Sequence, residues 1–289
     1  MAIQNLKIGF IGAGKMGTAL ALSLTRAGYT VTGVASRSLD SAQALSAKLQ
    51  SAAAYENPQS VADGADLILI TTPDSAITEV AEALELRPGQ MVCHISAATP
   101  LEALSQTTIK GAVTGVFHPL LSAGSCGKTA VPPGITFAVE AAEPLLSILR
   151  TMAAKLSGKI IELAGPDRVL YHASAILASN YLVTLVDRAA GLWQGFATKE
   201  QAVTALLPLI RGTIDNIGDI GIPECLTGPI SRGDVETVRR HMTALADIAP
   251  DTMDVYRTMG LATIPVALAR GSINNTKASE LNELLEIRP

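Results

Sequence analysis

What this chain lacks narrows the field first. Aromatic residues make up only 3% of its 289 positions. A core must therefore be built from aliphatic side chains and alanine, which suits α/β layers and helix bundles. The three cysteines, Cys93, Cys126 and Cys225, are odd in number and show no C-x-x-C spacing. Neither a disulfide framework nor a structural metal site is expected, and free buried thiols in a reducing cytoplasm fit better. The formal net charge is −4 and the charges are scattered. No basic stripe offers itself to nucleic acid or to an anionic membrane. No apolar run reads as long enough to span a bilayer. The N-terminus runs straight into a strand, which is not the pattern of a secretory signal. No internal repeat is evident.

What is present is concentrated near the N-terminus. Leu6 to Ile11 reads as a short buried strand, and Gly12, Gly14 and Gly17 follow in G-x-G-x-x-G spacing. Met16, Leu20 and Leu24 then mark one face of a helix running to about Ala27, which Gly28 ends. In such a turn the first glycine permits the sharp bend and the second lets a pyrophosphate approach the backbone. The third lets the helix pack closely on the strand. The helix N-terminus adds N–H groups and a positive dipole end. The stretch Gly12-Ala13-Gly14-Lys15-Met16-Gly17 is thus the candidate phosphate cradle.

At the end of the second strand, Thr30 to Ala35, a carboxylate would be expected to hold the ribose of NAD. The chain has none there; it reads Ser36-Arg37-Ser38. A guanidinium flanked by hydroxyls suits a 2′-phosphate. The bland alternative is a surface arginine capping the next helix. NADP is the expected cofactor, with Ser36 and Arg37 on its phosphate. Thr71, Thr72 and Pro73 follow the apolar strand Leu67 to Thr71 and fall beside the cofactor.

The first half alternates strands and helices, which implies a parallel, doubly wound sheet. Helices are expected at Leu39 to Leu49, from Asn57-Pro58, from Asp74 or Ser75 as cap, and at Leu145 to Leu156. Strands are expected near Ala52 to Tyr55, Met91 to Ile95, Ala112 to Phe117, Ile135 to Val139 and Lys159 to Glu162. The stretch between Pro119 and Gly134 reads as a loop at the edge of the cofactor site. From about Pro166 the pattern turns helical. Asp167 to Gln194 reads as one helix of about 28 residues, roughly 42 Å long. More helices follow at Lys199 to Asn216, Asp234 to Leu245, Asp251 to Arg270 and Lys277 to Leu285. The expected organisation is a nucleotide-binding α/β domain over residues 1–164 and an all-α domain over 165–289.

Four histidines exist. His94, with Ser96, lies at the carboxyl end of one expected strand, and His118-Pro119 at the end of the next. Such ends converge on ligands in open α/β sheets, and a histidine there can move a proton as hydride moves. It can equally be a helper that bonds backbone. His172 and Asn180 sit eight residues apart within apolar surroundings, where polar groups need partners. They bond across a helical core or touch substrate. Thr227 to Asp234 is a turn-rich loop in which Asp234 caps a helix and Arg232 locks the loop or binds an anion.

These motifs carry a resemblance. Gly9-Phe10-Ile11-Gly12-Ala13-Gly14-Lys15-Met16-Gly17 resembles the glycine stretch of pyrroline-5-carboxylate reductases and their deazaflavin-dependent NADP oxidoreductase relatives. Other segments are similar to a bacterial family of Rossmann-like proteins with a helical C-terminal domain of unknown function. These segments are His94-Ile95-Ser96-Ala97, Phe117-His118-Pro119-Leu120, Tyr171-His172-Ala173 with Ser179-Asn180, and Thr227-Gly228-Pro229 with Arg232-Gly233-Asp234. The resemblance implies an NADP-dependent oxidoreductase, paired into a homodimer through its helical domain. In the wider superfamily, 6-phosphogluconate and hydroxyisobutyrate dehydrogenases carry a catalytic lysine and asparagine on such a helix. Here no lysine lies between Asp167 and Gln194, and His172 is the nearest substitute. Prephenate dehydrogenases share a His-Pro element.

The expectation is a cytoplasmic, NADP(H)-dependent oxidoreductase acting on a carbonyl or imine carbon of a small polar metabolite. His118, His94 or His172 is the proton donor, and Ser96 and Asn180 orient the substrate. The alternatives are a non-catalytic sensor of NADP redox state and an imine reductase close to pyrroline-5-carboxylate reductase.

Overall fold

The structure, a computed structural model, describes residues 6–122, 124 and 130–286. Its first compact unit is built on eight strands: β1 (Lys7–Ile11), β2 (Thr30–Ala35), β3 (Ala53–Tyr55), β4 (Leu67–Ile70), β5 (Met91–His94), β6 (Val113–Pro119), β7 (Thr136–Ala141) and β8 (Lys159–Glu162). They lie in the order β3-β2-β1-β4-β5-β6-β7-β8. The chain reverses its winding direction after β3, crossing from one edge to start β4 on the other side of β1. That crossing opens a crevice at the carboxyl ends of β1 and β4, where ligands of open α/β sheets bind.

Helices cover both faces. They are α1 (Lys15–Arg26), α2 (Leu39–Ser46), α3 (Pro58–Gly64), α4 (Ile77–Glu82), α5 (Ser105–Ile109) and α6 (Leu145–Lys155). The sequence of β4, Leu-Ile-Leu-Ile, is buried throughout. Leu67 and Leu69 pack on one side with Phe10, Leu20, Leu24 and Leu149. Ile68 and Ile70 pack on the other with Val61, Ile77, Ala81 and Leu104. This two-residue alternation, with both faces apolar, is what a doubly covered sheet requires.

Several sequence expectations need correction. β7 runs antiparallel to β6, with Gly115 opposite Ala141 and Pro119 opposite Phe137. An antiparallel return needs only a loop, whereas a parallel one needs a crossover. β8 is again parallel to β7. Neither Asp74 nor Ser75 caps a helix: Asp74–Ala76 is a short 3-10 turn without a side-chain cap, and α4 starts at Ile77. By contrast, Asn57 caps α3 with Pro58 in its first turn, as the sequence implies.

The expected long helix is two helices, α7 (Asp167–Ala178) and α8 (Asn180–Gly191). Between them Ser179 leaves the helical region at φ −122° and ψ −69°. His172 and Asn180 therefore sit on different helices. By length and hydropathy alone the stretch 167–191 would reach across a bilayer, contrary to the sequence reading. It nevertheless carries Asp167, Arg168, Asp187 and Arg188. Contacts divide the chain after Ser179, so α7 groups with the sheet.

The second unit holds α8, α9 (Lys199–Asp219), α10 (Val235–Ile248), α11 (Pro250–Ala269) and α12 (Asn275–Glu286). Thr198 and Gln201 form a reciprocal capping box at the start of α9. Val238, Met242, Ile264, Leu281 and Leu285 form a core shared by α10, α11 and α12. Asp234 caps α10, accepting from the Thr237 N–H at 3.0 Å. Cys93 is a buried free thiol and Cys225 a half-buried one. Burial pushes the Cys93 thiol pKa up. Cys126 lies outside the described residues.

Candidate active site

The turn after β1 is held by its own backbone. The Gly12 N–H donates to the Ala35 carbonyl at 2.7 Å, and the Thr71 hydroxyl donates to the Gly12 carbonyl at 2.6 Å. Gly12 has a φ of +119°, and a Cβ there would come within 2.5 Å of the Thr71 carbonyl carbon. A Cβ on Gly17 would lie 2.5 Å from Thr71 Oγ1 and 2.8 Å from the Gly12 carbonyl oxygen. Only glycine fits at either place. Gly14 differs: a Cβ there meets nothing within 4 Å among the described residues. It stands in the N-cap position of α1, where no side chain caps the helix and no acidic residue occupies the first turn. An open space faces an uncapped, electropositive helix end. The cradle therefore fits a pyrophosphate.

The structure sorts the other expected cofactor residues. Thr71 is buried and its hydroxyl is engaged by the turn, so it buttresses the cradle. Ala13 and Met16 are partly buried against the core, while Lys15 and Pro73 are exposed. The Thr72 hydroxyl is buried without a partner among the described residues. After β2, Ser36 is half-buried and Arg37 exposed. The cap of α2 is Ser38, whose hydroxyl accepts from the Ser41 N–H at 3.4 Å. Arg37 is therefore not the capping residue.

A second group gathers at the carboxyl ends of β5 and β6, against the first turns of α7. His94 is 0% exposed. The Ser96 N–H donates to its Nδ1 at 3.2 Å. The neutral ring must then carry its proton on Nε2, which is buried without a hydrogen-bond partner among the described residues. The Ser96 hydroxyl accepts from the N–H groups of Ala98 and Thr99, so Ser96 ties the loop after β5. His118 Nδ1 lies 2.8 Å from the Tyr171 hydroxyl, and the two rings meet edge to face. Arg168 is 2% exposed and pairs through Nη2 with Glu140 on β7. Its Nε and Nη1 have no partner among the described residues, and neither has His172 Nδ1.

The electrostatics follow from burial and crowding. Burial lowers the His118 pKa to about 4, and the nearby His172 and Arg168 push in the same direction. Burial likewise takes His94 to about 4, helped by Arg168. The Pro100 backbone carbonyl opposes that shift. Burial raises Tyr171 to about 12, with Arg168 pulling the other way. Near neutral pH both imidazoles and the phenol are therefore uncharged.

Of the histidines named from the sequence, His94, His118 and His172 come together, with Ser96 beneath them. Asn180 is exposed and opens α8 in the second unit. Arg232 ends a 3-10 turn of that same unit. Sequence reasoning missed Arg168, Tyr171 and Glu140. A signal for two of them was present: Arg168, Tyr171 and His172 recur at helical spacing and so share one face of α7. Glu140 carried no local sign of its partner, which lies 28 residues away.

Comparison with known proteins agrees with this geometry. Residues 1–119 match the model of the Rossmann-like domain, and residues 135–263 that of a domain of unknown function, DUF2520. A 2-(hydroxymethyl)glutarate dehydrogenase from Eubacterium barkeri is 29% identical over 159 residues, 50% of this chain. The chain spans about half of that relative's length, 52%. A candidate NADP oxidoreductase from Bacteroides fragilis superposes with a TM-score of 0.74 at 25% identity, covering 91% of this chain and 100% of its own. A 1-pyrroline-5-carboxylate reductase from Streptococcus pyogenes shares the fold, with a TM-score of 0.59 at 15% identity over 98% of this chain and 100% of its own. These three proteins are named as oxidoreductases, and this chain matches a Rossmann-like domain followed by a DUF2520 domain.

Proposed function

We propose that this protein is an NADP(H)-dependent oxidoreductase acting on a carbonyl or imine carbon of a small polar metabolite. The observation that carries the reading is the His118–Tyr171 pair, 2.8 Å apart, on the sheet edge that also bears the open Gly14 cradle. Gly12, Gly14 and Gly17 would admit the pyrophosphate, and Ser36 and Arg37 would take the 2′-phosphate. NADPH, when bound, supplies a hydride and with it two electrons to the substrate carbon. The chain's own task is then the matching proton. Tyr171 passes its phenolic proton to the substrate oxygen or nitrogen, with His118 Nδ1 holding the hydroxyl in place. A solvent proton then returns the phenolate to its neutral form. Such a positioned acid contributes about 10²–10⁴-fold in rate. His94 and Ser96 hold the loop beneath this pair. The same reading includes self-association through α8 and α9, whose apolar residues are largely uncovered.

The test is a thermal-shift titration with NADPH and with NADH, followed by a panel of carbonyl and imine substrates. NADPH at a hundred times its dissociation constant should add about 2.7 kcal/mol of stability. Stabilisation with no turnover across the panel would favour the redox sensor. No stabilisation by either nucleotide would remove the reading.

A further inference from the structure

We infer that Arg168, with His94 and His172 beside it, forms a subsite for a carboxylate, so that the substrate of the proposed reaction is an oxo or imino acid. The inference rests on that reading of the chain as an oxidoreductase. Its starting point is a guanidinium sealed from water with part of its hydrogen-bonding capacity unused. Arg168 is 2% exposed, and Glu140 takes Nη2 alone. Nε and Nη1 donate to nothing among the described residues. Buried donors of this kind are rarely left unmade, and each such group calls for an explanation. A purely structural latch between β7 and α7 would explain Nη2 but not the other two nitrogens.

The neighbouring groups indicate what the missing partner is. His94 accepts the Ser96 N–H at Nδ1, so its buried Nε2, which has no hydrogen-bond partner among the described residues, is a donor. Arginine nitrogens are donors only. His172 adds a further buried, unpartnered ring nitrogen, Nδ1, which is a donor in the matching tautomer. The subsite therefore presents donors from separate elements, and the complementary group is an acceptor without hydrogens of its own. A planar carboxylate meets that description and matches a guanidinium edge.

The cofactor's phosphates are not that group. They belong at the end of β1, and β6 lies three strands away in the sheet order. At about 4.8 Å per strand this is roughly 14 Å across the sheet. Arg168 acts electrostatically on His94, His118 and Tyr171, which places it beside the proton-handling pair. An anion bound there would set the reacting carbon near Tyr171.

The experiment uses the full chain saturated with NADP⁺, at constant ionic strength. Succinate and inorganic phosphate are titrated separately, and melting temperature is read for the wild type and for Arg168→Gln. Succinate should raise the wild-type melting temperature saturably by a few degrees, with no shift in Arg168→Gln. Phosphate should have no effect. A saturable shift with phosphate alone, or an equal succinate shift in the variant, would overturn the assignment. Should Arg168→Gln fail to fold, Arg168→Lys keeps the charge on Glu140 while losing the planar edge. Succinate binding should then weaken at least tenfold with NADPH binding unchanged. A wild-type arm needs no variant: 2-oxo acids and cyclic imino acids are compared with their primary amides. The acids should exceed the amides at least a hundredfold in kcat/KM. Efficient turnover of the amides would sink the subsite while leaving the oxidoreductase reading intact. Failure to bind NADPH would sink the oxidoreductase reading; succinate is then titrated against the apoprotein, where a shift lost in Arg168→Gln keeps the carboxylate subsite and no shift overturns it.

Discussion

The Nδ1 of His118, at the end of β6, sits 2.8 Å from the hydroxyl of Tyr171, in the first turns of α7. The pair links two segments 53 residues apart and joins two uncharged groups, either of which can donate the hydrogen bond. Tyr171→Phe removes the hydroxyl and keeps the ring. We expect kcat to fall about 10²–10⁴-fold, with NADPH affinity unchanged by fluorescence titration. His118→Asn should give a similar loss, and the double variant no more than either single one, because the two residues act as a unit. Additive losses would separate them.

The depressed imidazoles make acid stability a second readout. His94 titrates near 4 in the folded chain, against 6.5 as its ordinary value. Above pH 6.5 both folded and unfolded states are neutral and the stability is complete. As pH falls from 6.5 toward 4, the unfolded chain takes the proton that the folded one refuses, and stability drops. For His94 the full loss is about 3 kcal/mol, and His118 acts with the same sign. Denaturant melts between pH 6.5 and 5, above the main carboxylate range, isolate the effect. His94→Asn preserves an acceptor for the Ser96 N–H, so the pH slope should shrink. An unchanged slope would place the acid sensitivity elsewhere.

The three glycines of the cradle should separate stability from binding. A Cβ on Gly17 would lie 2.5 Å from Thr71 Oγ1 and 2.8 Å from backbone. Gly17→Ala should therefore destabilise the fold by about 1–3 kcal/mol through overpacking. Gly14 has open space and a φ of −71°, which alanine adopts freely. Gly14→Ala should leave the melting temperature of the free protein unchanged and weaken NADPH binding tenfold or more. An alanine at 14 that binds NADPH normally would mean the open space is not where the phosphates sit.

How much of this was legible in the sequence depends on how local each feature is. The strand, glycine turn and helix around Gly12 to Gly17 could be read directly, because each glycine answers a constraint within a few residues. So could the Asp234 cap, and β8 at Lys159–Glu162. The direction of β7 could not, because strand polarity depends on how the 119–135 connection returns. Nor could the break at Ser179, where neither proline nor glycine marks the bend. The buried Arg168–Glu140 pair is hidden for the same reason: burial and partner choice are set by the packing of α7 on the sheet. The sequence therefore pointed to three histidines and missed the arginine and tyrosine that accompany them.

Arg37 offers a test of cofactor choice. Its side chain is exposed and Ser38 performs the capping of α2, so no local structural task competes for the guanidinium. A hydrogen bond to a charged group contributes about 1.5–3 kcal/mol, or roughly tenfold to a hundredfold in affinity. Arg37→Ala should weaken NADPH by that amount and leave NADH unaffected, with melting temperature unchanged. Equal weakening of both nucleotides would move the 2′-phosphate away from Arg37.

The helix α9 bears on assembly. It runs 21 residues, roughly 32 Å, and Ala202 alone is buried along it among the described residues. Leu207, Ile214 and Ile217 are 39%, 54% and 44% exposed and recur at helical spacing, forming an apolar stripe. A helix gains most of its stability by burying such a face, and uncovered apolar stripes mark interfaces. A second copy of this chain can supply the cover, since the same stripe is self-complementary about a two-fold axis. Sedimentation should therefore give about twice the 30.0 kDa chain mass at micromolar concentration. Ile214→Glu with Ile217→Glu places charge in the stripe without touching the α10–α12 core. The variant should sediment as a single chain with its NADPH site intact. A wild-type protein that remains a single chain at tens of micromolar would mean that the stripe is covered by something other than a second copy.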